Sequence, residues 1–324
     1  MSELKIDMVY LWCDGSDPEF RARKNRYIGT NDIIHSNESV GEQRFFDNSE
    51  LKYSLRSLEV NAPWINHVYI VTDRQVPKWL DKSYDRVTVI DHSEIMPAEF
   101  IPCFNSTVIE YFMPFIPKLS EYFLYGNDDM FFGTSVKPKD FFVDERPIVR
   151  VKKIKRSKLL KYWDPNNYNF YGNVLNSLEL LNATYKRKEY YELHHNIDSY
   201  RKSLFLNAFN RFYSEISVCF SNKFRKANGI QRILFNLDMV YSGEACLRIV
   251  KDPSSWKRKL SFFRKVEWES FCGSDSSTNT HQRILKYHPM FFCLNSDSSC
   301  DGKAKIRNKE FMEVLFPKKS KFEV

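Results

Sequence analysis

Four short apolar runs, each followed by a polar turn, constrain the fold of this 324-residue chain more than any other feature. They occupy residues 6–13, 67–72, 86–90 and 122–125. The first run, IDMVYLWC, stops at the turn-forming sequence DGSDP, and the last, YFLY, runs into GNDD. Runs of this length between turn formers are typical of buried strands. In open α/β sheets, ligands bind just past the carboxyl ends of such strands.

Helical patterns separate these strands. Leu51, Leu55 and Leu58 form an apolar stripe in a segment that ends before Pro63, and residues 104–116 form a second helix-like segment. The order strand, helix, strand, strand, helix, strand predicts an α/β fold with a Rossmann-like or GT-A-like nucleotide-binding sheet.

The chain changes character after about residue 147, where it becomes richer in Lys, Tyr and Asn. Long helix-like stretches follow at residues 174–187, 201–220 and 230–240. No internal repeat or low-complexity linker separates the two parts. We therefore predict an α/β lobe at residues 1–146 and a helix-rich lobe at residues 147–324 that form one functional unit.

The net charge of +8 predicts anionic partners, such as a nucleotide-sugar, a phosphate-bearing polymer or lipid head groups. Nucleic acid is the weakest candidate because no basic helix or aromatic RNA-binding signature is present. No apolar run approaches the roughly 20 residues that span a bilayer, and the amino terminus lacks a signal-type core, so a cytosolic protein is expected. Any membrane contact, at the inner face of the plasma membrane, would be peripheral. Residues 152–161 and 256–264 are candidate surfaces for it, although each tract is more simply explained as a solvated charged face.

Two of the strand-end turns carry carboxylates. Asp128 and Asp129 follow the last run, and adjacent carboxylates on such a turn suit Mg²⁺ or Mn²⁺ beside a diphosphate. The alternative is that they are solvated or cap a helix. Asp14, Gly15, Ser16 and Asp17 follow the first run, where the glycine would allow close approach of a nucleotide and the carboxylates would bind ribose or metal. Helix capping explains this turn equally well.

Two further side chains carry chemistry of their own. His195, in the pair His194-His195, is a candidate general base because imidazole titrates near neutral pH. Arg225 has the planar fork that suits phosphoryl oxygens. An inert surface histidine and an ordinary surface arginine are the competing interpretations, and these two residues alone do not decide between them.

Blocks spread over most of the chain carry a family resemblance. The first two blocks comprise residues 6–18, then 44–45, Asp47, 50–57, 62–64, 72–73, 75–77, 79–80, His92, 104–106, 109–110 and 127–129. The third comprises His195, residues 201–205, 224–225 and Gln231, and the fourth residues 293–295. These blocks resemble the Stealth proteins, sugar-phosphate transferases of bacterial capsule synthesis whose animal relative is the lysosomal-enzyme GlcNAc-1-phosphotransferase. The chain departs from that pattern at Ser296, which stands where relatives have Asp directly after the Asn.

The resemblance implies a UDP-sugar donor and an acceptor that is a polysaccharide or a lipid-linked oligosaccharide. It implies that a sugar-1-phosphate is transferred, a phosphodiester forms and UMP leaves. His195 and Arg225 correspond to the catalytic histidine and arginine, with His194 as an alternative for the first. Asp17 is a third candidate catalytic residue. The remaining predicted contacts are Asp14, Gly15, Ser16, Arg44, Asp73, Asn105 and Asn295 for the donor, and Asp128 and Asp129 for Mg²⁺ or Mn²⁺.

Two rival functions stay open at this point. A metal-dependent glycosyltransferase would use the same donor but break the sugar–oxygen bond and release UDP. A non-catalytic module that binds polysaccharide or polyphosphate would account for the basic charge and the high aromatic content of 16%. The product nucleotide separates the first rival from a phosphotransferase, and a requirement for His195 separates the second.

Overall fold

The computed structural model describes residues 4–28, 37–41, 44–250, 270–274, 278–295 and 302–324. At residues 37, 38, 270–274, 278 and 295 the description covers the backbone alone. The strands are β1 (Ile6–Leu11), β2 (Val68–Thr72), β3 (Val87–Asp91), β4 (Tyr122–Asn127), β5 (Met130–Phe132), β6 (Phe142–Val143), β7 (Arg146–Lys153), β8 (Tyr191–Leu193), β9 (Asp198–Arg201), β10 (Cys246–Ile249), β11 (Ser270–Ser274) and β12 (Phe291–Asn295). The helices are α1 (Pro18–Ile28), α2 (Asn37–Val40), α3 (Glu50–Asn61), α4 (Ser106–Tyr111), α5 (Arg156–Lys161), α6 (Phe170–Tyr185), α7 (Lys202–Arg211), α8 (Tyr213–Ser217), α9 (Ile233–Tyr241), α10 (Thr278–Tyr287) and α11 (Gly302–Leu315).

The central sheet has the strand order β3-β2-β1-β4-β9. Its first four strands are parallel, and β9 is antiparallel to β4. The chain therefore moves from β1 outward to β2 and β3, and then returns to the other side of β1 with β4. This reversal makes the carboxyl ends of β1 and β4 the switch point of the sheet, where ligands of open α/β proteins bind. The predicted α/β class, with a mostly parallel sheet, is confirmed.

Both faces of the central sheet are buried, which explains why β1 is a nearly continuous apolar run. Alternate side chains point to opposite faces. Val9 and Phe123 pack into one core with helices α4, α6, α7 and α9. Met8 and Leu124 pack into another core on the opposite face, with α3. The second half of the chain is helix-rich, as predicted, and supplies most of the first core.

Two smaller sheets join the later part of the chain to the earlier part. In one, β7 pairs with β10 in parallel and with β6 and β8 in antiparallel fashion. In the other, β12 is antiparallel to β5 and parallel to β11. Because β9 and β12 both pair with strands that precede residue 147, the two halves of the chain share sheets. The division into lobes at residues 146/147 stays a prediction.

Two helix predictions were too long. The segment at 104–116 contains α4, followed by a 3-10 turn at Met113–Phe115. Pro114 cannot donate a backbone hydrogen bond, so an α-helix does not continue through it. The segment at 201–220 is divided into α7 and α8 at Phe212, whose φ of −107° and ψ of 21° leave the helical region. Among the helices that the structure describes, none is both long and apolar enough to cross a membrane. The tract at 256–264 lies outside the described residues.

Candidate active site

A cleft of ≈ 430 Å³ opens at the switch point between β1 and β4. Five of the predicted site residues line it: Arg44, Asp73, Asp128, Asp129 and Arg225. They come from segments up to 181 positions apart in sequence (225 − 44), and the sheet order brings them together. We call the carboxylates after β4 and at the start of α3 its acidic end, and the two arginines beside Tyr168 its basic end.

The acidic end is built by the turn after β4 and by the start of α3. Burial, together with the neighbouring charges of Asp129, Glu50 and Asp47, raises the pKa of Asp128 well above its usual value, although solvent reaches part of the side chain. Burial and the charges of Asp47 and Asp129 likewise raise the pKa of Glu50 to about 8. Burial raises the pKa of Asp47 as well. Carboxylates that raise each other's pKa in this way bind a cation favourably.

The chemistry of this acidic end fits a divalent cation such as Mg²⁺ or Mn²⁺, because all of its candidate ligands are carboxylate oxygens. In the described part of the chain, no three His, Cys, Asp or Glu side chains converge closely enough to hold an ion alone. Mg²⁺ characteristically uses one or two carboxylates and completes its shell with water and substrate phosphates. Asp129 Oδ2 accepts a hydrogen bond from Cys293 Sγ at 3.3 Å and so faces β12, and both carboxylates stay predicted metal ligands.

The basic end is organised around Tyr168, a buried residue that the sequence analysis did not single out. The Cζ atoms of Arg44 and Arg225 lie 5.8 and 5.7 Å from the centre of its ring. Arg225 Nη1 donates a hydrogen bond to Tyr168 Oη at 3.1 Å, and Nη2 donates to Ser106 Oγ at 2.6 Å. Two guanidinium groups that are far apart in sequence are thereby held beside one buried ring, and both arginines line the cleft.

The loop that carries Arg225 is fastened by its backbone. Ser39 Oγ donates to the Arg225 carbonyl at 2.8 Å. Asn105 Nδ2 lies 3.3 Å from the carbonyl oxygens of both Asn222 and Phe224. Asn105, a predicted donor contact, therefore holds the arginine loop in place and is not itself among the residues that line the cleft.

The turn after β1 is held by contacts within the protein. Asp17 Oδ1 accepts from the backbone amides of Glu19 and Phe20 at 2.8 and 2.9 Å, which caps α1 and lowers the pKa of Asp17. Asp14 Oδ1 accepts from the Ser16 amide and hydroxyl at 2.8 and 2.6 Å. Cys13, which precedes the turn, is among the residues that line the cleft, whereas Asp14, Ser16 and Asp17 are not. The predicted nucleotide contacts of Asp14 and Ser16, and the catalytic role of Asp17, stay predictions.

Gly15 is required by packing between two loops. Its amide donates to the Phe45 carbonyl at 2.5 Å. A Cβ atom at this position would lie 2.5 Å from that oxygen and 2.8 Å from Phe45 Cβ. The glycine thus permits close approach of the loop that carries Arg44, one wall of the cleft. Its predicted approach to a nucleotide stays a prediction.

Two buried residues after β2 and β3 add to the cleft. Asp73 is paired with Arg23 of α1, whose Nε lies 3.1 Å from Asp73 Oδ2. His92 is 5% exposed and lines the cleft, and its Nδ1 has no hydrogen-bond partner within the described residues. Burial lowers the pKa of His92, so the ring is neutral. His92 belongs to the blocks that carry the family resemblance, which give it no role; its position directly after a buried strand is the signal in the sequence that could have found it.

His195 lies beyond the cleft and is not among the described residues that line it. It precedes β9, the antiparallel neighbour of β4, and the pairing of Tyr125 with Asp198 places the end of β4 beside the segment that contains His195. Burial and the charges of Arg232 and Lys152 lower the pKa of His195 to about 4. The imidazole is therefore neutral near pH 7, as a general base must be. His194 is buried, and its amide donates to the Arg150 carbonyl.

Comparison with known proteins bears on these assignments. The model of Stealth protein CR1, conserved region 1, matches residues 4–32, and that of Stealth protein CR2, conserved region 2, matches residues 44–149. The capsular polysaccharide phosphotransferase LcbA of Neisseria meningitidis is 31% identical over 92% of this chain and 84% of its own length. The capsular polysaccharide phosphotransferase cps1A of Actinobacillus pleuropneumoniae is 32% identical over 77% of this chain and 69% of its own. The chain belongs to the Stealth family.

Other matches are less complete. The exopolysaccharide phosphotransferase SCO6023 of Streptomyces coelicolor is 52% identical over 43% of this chain, a segment that spans 23% of that relative. The crystal structure of the galactosyltransferase LgtC matches 95% of this chain and 96% of its own chain. The sequence identity is 10% and the TM-score is 0.42. That score supports no conclusion, and the α/β class rests on the strand order of the Stealth chain itself.

The two Stealth regions build only part of the site. β1 and the turn after it belong to the first region, and Arg44, Asp73, His92 and the Asp128 turn belong to the second. Tyr168, His195 and Arg225 lie beyond both. Asn295 ends β12, and its side chain lies outside the described residues, so its predicted contact with the donor stays a prediction.

Proposed function

We propose that this chain is a phosphotransferase of polysaccharide synthesis that moves a sugar-1-phosphate from a UDP-sugar to an acceptor hydroxyl and releases UMP. The observation that carries the proposal is the convergence of Arg44 and Arg225 on Tyr168 in a cleft that Asp128 also lines. Guanidinium groups and a cation held by carboxylates both suit a diphosphate. Family membership and the phosphotransferase names of LcbA and cps1A support the same reaction class.

The proposed reaction breaks one phosphorus–oxygen bond and forms another. The acceptor hydroxyl attacks the phosphorus nearest the donor sugar, and the bond from that phosphorus to the UMP oxygen breaks with its electron pair on UMP. The hydroxyl proton passes to the neutral imidazole of His195. The product is a sugar-phosphate-sugar diester. Phosphoryl transfer depends mainly on positioning and on stabilising charge, both of which this cleft can supply.

Individual residues have separate tasks in this proposal. Arg225 and Arg44 bind the non-bridging oxygens of the diphosphate, and Tyr168 and Ser106 keep the Arg225 fork oriented. A divalent cation bound at Asp128, with Asp129 beside it, supplies charge neutralisation at the diphosphate when present. We propose that His92 uses its unsatisfied Nδ1 to hydrogen-bond the donor.

The remaining predicted contacts surround this centre. Asp14, Gly15 and Ser16 lie in the turn beside the Arg44 loop, and Asp73 lies on the cleft wall. We propose that they shape the nucleotide end of the cleft. The proposed partners are a UDP-sugar and a polysaccharide or lipid-linked oligosaccharide, with the reaction on the cytoplasmic side of the membrane.

The product nucleotide tests the reaction type directly. The protein is incubated with Mn²⁺ or Mg²⁺, a panel of UDP-sugars and a capsular polysaccharide acceptor, and nucleotides are separated by chromatography. UMP is the expected product in equal amount to the phosphodiester detected by mass spectrometry. Release of UDP without UMP would show that the chain is a glycosyltransferase instead.

A second comparison tests whether the chain is catalytic at all. A His195→Gln variant keeps a polar side chain of similar size but lacks the imidazole that would accept the proton. Turnover should therefore fall by about 10²–10⁴-fold while UDP still binds. A His281→Gln variant serves as the matched control, because His281 pairs with Asn308 at 2.7 Å in another part of the chain. Full turnover by His195→Gln would remove the proposed base. A wild-type protein that binds polysaccharide but never releases nucleotide would favour a binding module.

A further inference from the structure

A basic and aromatic surface lies on α5 and the turn that follows it. The segment 152–163 contains six lysines and arginines and no acidic residue. Leu160, Tyr162 and Trp163 are 43%, 39% and 46% exposed, although all three carry large apolar groups. We call the side chains of Lys158, Lys161, Tyr162, Trp163 and Tyr171 the α5 platform. Large apolar groups that cluster at a surface beside cations mark an interaction site.

The α5 platform is ordered by contacts among its own members. The rings of Tyr162 and Tyr171 are stacked, with centres 5.2 Å apart. Lys158 Nζ lies 5.0 Å from the centre of the Tyr171 ring, and Lys161 Nζ lies 5.6 Å from that of Tyr162. Trp163 Nε1 donates to Asn176 Oδ1 at 3.3 Å, which fixes the indole on α6. Aromatic faces that are held in place in the free protein bind a ligand at a smaller entropic cost.

The α5 platform is continuous with the active site. Phe170 lies between the two, with its ring centre 5.6 Å from that of Tyr171 and 6.4 Å from that of His195. Two residues before Phe170 is Tyr168, the ring that Arg44 and Arg225 share. Residues 162–171 therefore lead from an exposed surface to the proposed base and on to the diphosphate cleft.

The chemistry of the α5 platform matches one particular ligand. Aromatic rings cover the apolar C–H faces of sugars, and lysine cations bind phosphodiester oxygens. If the proposed function is right, every transfer adds one phosphodiester, so the growing acceptor becomes an anionic chain of alternating sugars and phosphates. Its last hydroxyl has to reach His195.

We infer that the α5 platform binds the growing acceptor, an anionic sugar-phosphate polymer, and directs its terminal hydroxyl towards His195. The inference rests on the proposed function. An anionic membrane would also match lysines beside exposed aromatics. The polymer is favoured because the aromatic rings continue inward to His195, which a flat membrane contact does not require.

The test uses paired variants of the full chain. Tyr162→Ala with Trp163→Ala removes the aromatic faces, and Lys158→Gln with Lys161→Gln removes the charges. Tyr213→Ala, on α8, and Lys139→Gln are matched controls, because both side chains are exposed and neither belongs to the α5 platform. A thermal shift with UDP first establishes that each variant is folded and keeps its donor cleft.

Binding is then measured with three probes: phosphorylated dextran, unphosphorylated dextran of the same length, and phosphatidylglycerol vesicles. Each platform variant should weaken binding of phosphorylated dextran about tenfold, which corresponds to roughly 1.4 kcal/mol. Added salt should weaken the binding of the wild type more than that of the lysine variant. The controls should bind as the wild type does. In the transfer assay, the platform variants should raise KM for a long acceptor more than they lower kcat.

Two results would overturn the inference. In one, the platform variants and the controls bind phosphorylated dextran equally well. In the other, the variants lose binding to vesicles but keep binding to phosphorylated dextran, which would identify a membrane surface. Failure of the proposed function looks different, because the wild type would then release UDP and no UMP, whatever the dextran measurements show. Selective loss of phosphorylated-dextran binding in both platform variants, together with release of UMP by the wild type, supports the inference.

Discussion

Two groups of charged side chains, each partly or fully buried, lie beside β4, and their charges are balanced in different ways. The paired group consists of Arg232, Glu110 and Asp198: Arg232 Nε lies 3.0 Å from Asp198 Oδ2, and Nη1 lies 3.4 Å from Glu110 Oε1. The acidic group consists of Asp128, Glu50 and Asp47: in addition to burial, Glu50 and Asp47 raise the pKa of Asp128, and Asp47 raises that of Glu50. One group therefore contains its own counter-charge, whereas the other contains an excess of one sign.

This difference suggests that the paired group serves the stability of the fold and that the acidic group serves activity. Burial alone would lower the pKa of Arg232, but Glu110 and Asp198 raise it well above its usual value, and Arg232 in turn opposes the rise that burial causes in the pKa of Asp198. The acidic group is costly in the free protein and is relieved by a cation. Groups of like charge that raise each other's pKa in a cleft are typical of functional sites. Changes in the paired group should thus affect stability first, and changes in the acidic group should affect activity first.

The largest expected effect is on stability, from Arg232→Met. Glu110 and Asp198 would stay buried without their cation, and breaking a buried ion pair in this way costs about 3–5 kcal/mol. Urea denaturation followed by circular dichroism measures the free energy of unfolding. The matched control is Arg156→Met, because Arg156 and Glu179 form an ion pair whose side chains are 50% and 42% exposed. That control should leave the free energy of unfolding almost unchanged, because solvent screens an exposed pair. Equal losses in the two variants would show that the paired group has no special structural role.

The same substitution in the two groups should have opposite effects on stability. Asp198→Asn weakens the attraction to Arg232 and should lower the unfolding temperature. Asp128→Asn removes repulsion from Asp129, Glu50 and Asp47, so the unfolding temperature should stay or rise without added metal. Turnover of Asp128→Asn should nevertheless fall by about 10²–10³-fold, the loss expected when one stabilising group is removed from a transition state.

Metal titration completes that test. Mn²⁺ at about 100 times its Kd should stabilise the wild type by about 2.7 kcal/mol and should stabilise Asp128→Asn far less. If neither Mn²⁺ nor Mg²⁺ changes the unfolding temperature of the wild type in the presence of UDP, the proposal that Asp128 is a metal ligand is contradicted. Strong destabilisation by Asp128→Asn without metal would remove the contrast between the two groups.

Sequence reasoning found Asp128 more easily than the basic end of the cleft, and it gave Glu50 and Asp47 no role of their own. Asp128 follows a buried strand, and the strand order that makes a switch point places such a turn at the ligand site. The four parallel strands were predictable for the same reason, since each is a short apolar run with a polar end. Helix lengths were less predictable, because the buried Phe212 interrupts a helical pattern that looks continuous in the sequence.

The rest of the site depended on contacts between distant segments. Nothing in residues 162–169 marks Tyr168 as the ring shared by two arginines, because Arg44 and Arg225 reach it only through folding. The pairing of β9 with β4, which brings His195 towards the cleft, joins segments that alternation alone does not connect. Local patterns therefore predict elements and strand-end turns, whereas side chains that cooperate across loops need the tertiary structure.

A smaller effect on turnover is expected from Arg225→Lys, which keeps the positive charge and removes the planar guanidinium group. Lysine cannot contact Tyr168, Ser106 and a phosphate in the same plane, so turnover should fall by about 10–100-fold, the loss expected for a hydrogen bond to a charged group. Stability should change little. Arg187→Lys, which alters an exposed pair with Glu189, is the control. Turnover that survives Arg225→Lys unchanged would mean that charge alone is required at this position.

The smallest effect concerns His195, whose pKa depends on a member of the paired group. Arg232, a member of the paired group, and Lys152 both lower the pKa of His195, in addition to burial, and together they bring it to about 4. Because this pKa lies below that of an unfolded histidine, His195 contributes stability above about pH 6.5, and the contribution is lost as pH falls through about 4. The imidazole thus stays neutral in the pH range where an ordinary histidine becomes protonated.

Lys152→Gln should raise the pKa of His195, because one of the repelling cations is removed. The increase should be less than about one pH unit, since a single partly exposed charge contributes about 0–1 kcal/mol. Titration of the imidazole by NMR, with His195→Gln used to assign the resonance, measures this pKa without relying on turnover. Lys139→Gln is the control and should leave the titration unchanged. A wild-type resonance that titrates near 6.5 would mean that His195 is solvated, and that the paired group does not tune the proposed base.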